Sequence, residues 1–248
     1  MTRIVFATLL LMTAAPVSAQ SSGSGPAGVG GFFIVGGGFQ SGTKGFTDSS
    51  TFTANAETAQ LSTEYEIKSG PIFSVAGGLR FTRLLSAGAA FTRYSVEGSG
   101  ALTASIPHPF FFNRPRQVSG DVSGLDRRED AVHVQLRAAV PAGDHLEVGV
   151  YGGPSFFSVN QTVVTSVEYD ETYPYDTATF AGAPTTVAKK NGVGFNVGGD
   201  VTYFFATQVG VSGGVQFARA SLSVPGAGGD VDITAGGLQT IVGLHVKF

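Results

Sequence analysis

The chain contains no cysteine. That removes a disulfide framework, a thiolate metal site and a lipidated cysteine from consideration. Charge is scarce as well: 13% of residues are Asp, Glu, Lys or Arg, and the formal net charge is −3. The largest basic clusters are the pairs Arg127-Arg128 and Lys189-Lys190, too small for a nucleic-acid footprint. Nor does any apolar run reach the roughly 18 residues that a membrane helix needs. What is abundant is glycine (36) and phenylalanine (20), a composition suited to strands that turn tightly and face something apolar. Past the first twenty residues no stretch has a convincing helical period, so stability must come from hydrogen-bonded strands.

The amino terminus has its own grammar. Arg3 is a positive start, Ile4 to Met12 a short apolar run, and Val17-Ser18-Ala19 a set of small residues before Gln20. These features define a cleavable secretory signal peptide over residues 1–19. A short lead, 20–26, would then precede a single domain, 27–248.

Within that domain, apolar and polar residues alternate with period two in eight segments: 27–40, 71–82, 85–96, 131–140, 145–157, 192–204, 209–218 and 231–248. The fourth puts Val132, Val134, Leu136, Ala138 and Val140 on one face and His133, Gln135 and Arg137 on the other. In the second, Phe73, Val75, Leu79 and Phe81 oppose Ser74, Gly78, Arg80 and Thr82. Each segment is near the ten residues that a tilted strand uses to cross a bilayer. The spacers alternate strictly. Long ones (41–70, 97–130, 158–191 and the briefer 221–230) follow odd-numbered segments, and tight turns (83–84, 141–144, 205–208) follow even ones. The expected fold is all-β: a closed antiparallel up-and-down transmembrane barrel of eight strands, both termini periplasmic, with short turns at one rim and extended loops at the other. Phe81, Tyr203 and Phe248 would form an aromatic girdle at the short-turn rim, and Tyr94, Phe156 and Tyr169 one at the far rim. The structural rival is a soluble lipocalin-like barrel, whose apolar faces point inward.

The last segment separates the two. Leu238, Val242, Leu244, Val246 and Phe248 share a face, and the chain stops on the aromatic. This resembles the C-terminal assembly signal of bacterial outer-membrane β-barrels, with Leu244, Val246 and Phe248 as its elements. From Ala27 onward the chain is similar to the small eight-stranded outer-membrane barrels of the OmpA/OmpX-like group, barrel only, although tryptophan is absent. The resemblance implies location in the bacterial outer membrane, contact with outer-membrane lipid and lipopolysaccharide, delivery by the barrel assembly machinery and a monomeric state.

Catalytic chemistry finds little purchase. His133 and His245 face the lumen by alternation, His145 abuts a tight turn, and His108 lies in a loop between two prolines, to be read as a solvated side chain. The acidic residues Glu168, Asp170, Glu171 and Asp176 lack the glycine-punctuated pattern of a calcium loop. The glycine runs carry no phosphate-binding motif. No catalytic residue, metal ligand or cofactor is expected, and the protein is read as a non-enzyme. The lumen should hold a polar cluster of Arg80, His133, Arg137, Glu147, Asp200 and Lys247, with Val140 opposite Asp144 and hence Arg137 opposite Glu147. At the surface, Phe110, Phe111, Phe112, Arg114 and Arg116 form a candidate contact loop. The leading expectation is a role in envelope integrity or surface interaction. A narrow porin-like solute channel is the alternative, and an outer-membrane lipid-modifying enzyme the least supported.

Overall fold

A computed structural model describes residues 30–43 and 45–248; the signal peptide (1–19) and the lead (20–26) lie outside the described residues. Fourteen strands follow in chain order: β1 (Gly30–Gln40), β2 (Phe46–Ala54), β3 (Glu57–Glu66), β4 (Gly70–Arg80), β5 (Leu85–Val96), β6 (Ser99–Ile106), β7 (Arg116–Ser123), β8 (Arg127–Pro141), β9 (Leu146–Val164), β10 (Glu168–Glu171), β11 (Ala178–Gly182), β12 (Thr185–Phe204), β13 (Val209–Pro225) and β14 (Asp230–Lys247). Among the described residues there is no helix.

Eight of these strands pair antiparallel in a closed ring, in the order β1-β14-β13-β12-β9-β8-β5-β4. The ring closes where β1 meets β14, from Phe32 opposite Lys247 to Gln40 opposite Gln239. Beyond that ladder, Gly31 N donates to Phe248 O (2.6 Å) and Phe248 N to Gly31 O (2.9 Å), so pairing continues to the final residue. No edge of the ring is left whose amides would need another partner.

Alternation decides which side chains point where. In β8, Val134 and Leu136 are 47% and 68% exposed, while His133 and Arg137 on either side of them are buried. The same outward apolar face runs through Phe33, Leu79, Val148, Val197, Val215 and Val242. Phe81, Tyr203 and Phe248 are outward and exposed beside the short-turn rim. Tyr94 breaks the expected far girdle. It points inward and is buried, with its hydroxyl donating to Lys68 O. Tyr169 also leaves that girdle, because it sits in β10 and packs against an apolar core above the rim.

That core corrects the reading of the long spacers as loops. β9, β12, β13 and β14 are 19, 20, 17 and 18 residues long, about twice what a bilayer crossing uses. Their upper halves continue as a wall. Facing it is a four-stranded sheet, β2-β3-β6-β7, built from the first two spacers, with the hairpin β10-β11 alongside. Phe180 of β11 lies directly on Gly120 of β7. At the other end Ala227 N donates to Asp48 Oδ2 (2.6 Å), joining the β13–β14 turn to β2. Leu61, Tyr65, Leu102, Ile106 and Val118 of the loop sheet are buried against Val159, Val163, Leu222 and Ile233 of the wall. The molecule is therefore a barrel continued upward into a sandwich with an apolar core.

The β2–β3 turn shows the local logic. Asn55 and Ala56 both have positive φ (51° and 64°), the geometry of a two-residue hairpin turn whose twist matches the strands.

Candidate functional site

The barrel interior is filled in layers. Nearest the short turns, Arg137 donates to both carboxylate oxygens of Asp200, and its Nη2 also reaches Glu147 Oε1 at 3.4 Å. Arg80 Nη2 lies 3.2 Å from Glu147 Oε2. Two cations and two anions thus alternate across the bore, so none of the four lacks a counter-charge. Gly149 makes room for them: a Cβ there would stand 2.6 Å from Arg137 Nη2 and 2.8 Å from Asp200 Oδ1.

The contact between Arg137 and Glu147 exists, but the expected register does not. Val140 pairs with Val148 and Arg137 with Tyr151, since the turn is wider than supposed and the ladder begins at Pro141 opposite Glu147. Asp200, on the next strand, is the main partner of Arg137. Lys247 points inward but stands apart from the four-charge cluster, with Nζ 3.7 Å from the centre of the Phe204 ring. His133 occupies a different layer.

Above the charges is a small cavity of about 60 Å³, bordered by Arg137 and Asp200 below and by Gln135 and Gln216 above, room for a few waters. A chain of side-chain hydrogen bonds then crosses the bore. Gln40 Nε2 donates to Glu129 Oε2 (3.2 Å), Gln239 Nε2 to Gln40 Oε1 (2.8 Å), and Gln216 Nε2 to Gln239 Oε1 (3.1 Å). Gln135 Nε2 donates to Gln216 Oε1 (3.3 Å) and Asn196 Oδ1 (2.9 Å), and Asn196 Nδ2 to Ser155 Oγ (2.9 Å). His133 closes the run, bonded to Ser155 Oγ at 2.7 Å and Thr92 Oγ1 at 3.0 Å. Inward parity in the sequence already marked Gln135. Asn196, Gln216 and Gln239 follow from the same alternation within their strands, and Gln40 from its extension to the end of β1.

At the junction with the sandwich lies a buried ion pair that sequence reasoning missed. Arg127 Nε donates to Glu129 Oε1 at 2.6 Å, Nη1 to Gln161 Oε1 at 3.3 Å and Nη2 to Thr234 O at 2.6 Å. Gly236 N donates to Glu129 Oε2 (2.8 Å). The amide can aim inward because Gly236 has φ +89°, open to glycine at little steric cost.

At the far pole the tips of three hairpins meet. Arg116, expected on the contact surface, is buried and acts as a clasp: Nη1 contacts Glu171 Oε2 (2.5 Å) and Tyr175 O (3.2 Å), and Nη2 donates to Pro107 O (3.0 Å). His108 is buried too, contrary to its reading as a solvated loop side chain. Its Nδ1 accepts from Phe110 N (3.1 Å) and Phe111 N (3.2 Å), so that lone pair is already used. The rest of the candidate loop is exposed: Phe110, Phe111 and Phe112 at 66%, 52% and 71%, with Arg114 over the Phe111 ring. Tyr173 joins them from the β10–β11 connection. Leu244, Val246 and Phe248, the proposed assembly signal, share the outward face of β14.

No protein-family model and no curated protein matches the chain. Among solved structures it is similar to the outer membrane protein OprG from Pseudomonas aeruginosa, at 10% identity over 88% of this chain and 96% of that one, with a TM-score of 0.45. It is similar also to Neisserial surface protein A, at 11% identity over 88% and 97% of the two chains and a TM-score of 0.44. The outer membrane protease OmpT from Escherichia coli matches at 10% identity over 93% and 100%, TM-score 0.44. Likenesses at these values carry no argument about activity, which must come from the geometry of this chain.

Proposed function

We propose that this protein is a non-enzymatic bacterial outer-membrane β-barrel, a plugged scaffold that holds a rigid extracellular sandwich for surface interaction or envelope integrity. The observation that carries this reading is the continuous outward belt of large apolar side chains on all eight barrel strands, around a lumen lined by paired charges and amides. In water such a belt would be far larger than the apolar patches that soluble monomers expose; in lipid it is the required face. On this reading residues 1–19 direct export, the short turns and both termini are periplasmic, and Leu244, Val246 and Phe248 address the barrel assembly machinery. The sandwich then stands outside the cell, with Phe110, Phe111, Phe112 and Arg114 at its tip.

The layered lumen argues for a scaffold over a solute channel. A permeant molecule would have to part the amide chain, the Arg127–Glu129 pair and the apolar core in turn. Purified protein should require detergent for extraction, run as a heat-modifiable band and give no steady conductance in planar bilayers. Extraction in carbonate without detergent would overturn the membrane reading. Regular ohmic steps would instead restore the channel.

A further inference from the structure

The outer wall over β5, β8, β9 and β12 is stratified in a way the apolar belt alone does not explain. The strand register places Phe91, Val132, Phe156 and Val193 on one rung, all facing outward. Two residues nearer the long-loop rim the rung reads Arg93, Asp130, Ser158 and Asn191, and two further it reads Ser95, Arg128, Asn160 and Lys189. Each step is about 6.6 Å along the strand. The wall thus passes from hydrocarbon-like to cationic within two rungs; the apolar rung together with Asp130, Ser158, Asn191 and Lys189 lines one open groove, and Arg93 and Arg128 flank it through their contacts with Asp130. On β4, by contrast, the rung that holds Arg93 continues as the exposed Phe73, and on β1 the exposed Phe39 lies opposite Pro71 nearer the rim.

Charge in this patch is arranged as well as present. Arg93 Nε lies 2.6 Å and Arg128 Nη2 3.0 Å from Asp130, and both guanidinium groups remain nearly half exposed, at 47% and 45%. Asp130 therefore spreads the two arginines into a fork with spare donors. Three cations against one carboxylate leave the patch positive. Lys189 stands at the other end, three strand spacings from β5 or about 14 Å across, with the Ser158 hydroxyl and the Asn160 amide between and the Asn191 amide one rung below it.

We propose that this face binds a bisphosphorylated disaccharide glycolipid of the outer leaflet: one phosphate on the Arg93–Arg128 fork, the other on Lys189, sugar hydroxyls on the amides, and acyl chains on the Phe91–Val193 rung. The site deepens the outer-membrane reading and rests on it. Phosphatidylglycerol has one phosphate and no sugar, and would leave one end of the footprint empty.

Delipidated full-length protein in detergent, titrated with bisphosphorylated lipid A, its dephosphorylated form and phosphatidylglycerol under native mass spectrometry, tests the site. The bisphosphorylated lipid should be retained about tenfold more tightly than either other lipid, and Lys189→Gln should remove that preference. Asp130→Asn carries the opposite sign: with its competing carboxylate gone, the arginines should bind the lipid more tightly. Equal retention of the three lipids, or an Asp130→Asn variant no tighter than wild type, overturns the site. Heat modifiability of the same samples is read in parallel, so loss of the barrel itself is told apart from loss of the lipid.

Discussion

Arg137 serves two acids, and its removal has unequal consequences for them. Glu147 keeps Arg80 as a neighbour, whereas Asp200 has no other cation among its described contacts. In reversible unfolding from lipid, Arg137→Ala should cost about 3–5 kcal/mol, because it strands a carboxylate in a narrow bore. Double-mutant cycles should give a larger coupling for Arg137 with Asp200 than with Glu147; the reverse order would contradict the geometry. Alternation in the sequence was enough to put all three side chains inside. It could not choose the partner, since the Pro141–Leu146 turn shifts the ladder and Asp200 comes from a strand distant in sequence. Arg116 and His108 were misread for a related reason: both lie in a segment whose surroundings are supplied by another hairpin.

At the scale of elements, the barrel strands were legible and the sheet above them was not. Period-two patterning is the same in both places: Ala59, Leu61 and Tyr65 alternate with Gln60, Ser62 and Glu64 as regularly as any membrane strand. The short apolar sets in β6 and β7, with serine, threonine and glycine between them, hid the pattern beneath a loop-like composition. The sandwich should have its own stability. Leu102→Ala, at a side chain only 1% exposed, should cost about 2–5 kcal/mol there. Protease should then cut β6 and β7 while the barrel remains heat-modifiable; simultaneous loss of both would show one cooperative unit. Tyr65 gives the same element a pH limit. Burial pushes its hydroxyl up to about 12, and it accepts a hydrogen bond from Val164 N at 2.8 Å. The unfolded phenol ionises near 10, so the native preference for the neutral form is fully present below about pH 10 and is lost as pH rises through about 12. Loop protection against protease should fall across that window in wild type, and less steeply in Tyr65→Phe.

For the whole molecule, depth along the wall sets tolerance to charge. Val134 lies within the apolar belt, so Val134→Arg should cost about 2–4 kcal/mol of folding in lipid. Val187 is also outward and 64% exposed, but one rung beyond Lys189, and Val187→Arg should cost close to nothing. Equal penalties would mean that the belt reaches further up the wall than the cationic rungs imply. The shared core of the sandwich bears on how this surface can diversify. Ordinary barrel loops drift independently, each free to lengthen or change its residues without consulting the others. Here β2, β3, β6, β7 and the hairpin beside them all abut one interior, so an insertion in any strand displaces its neighbours. Freedom to vary is left to single exposed side chains at the tips, such as Phe112 and Tyr173, because Asn55 donates to Pro107 O, Asn113 N to Glu57 and Arg116 to Tyr175 O, and these bonds tie the three turns to one another.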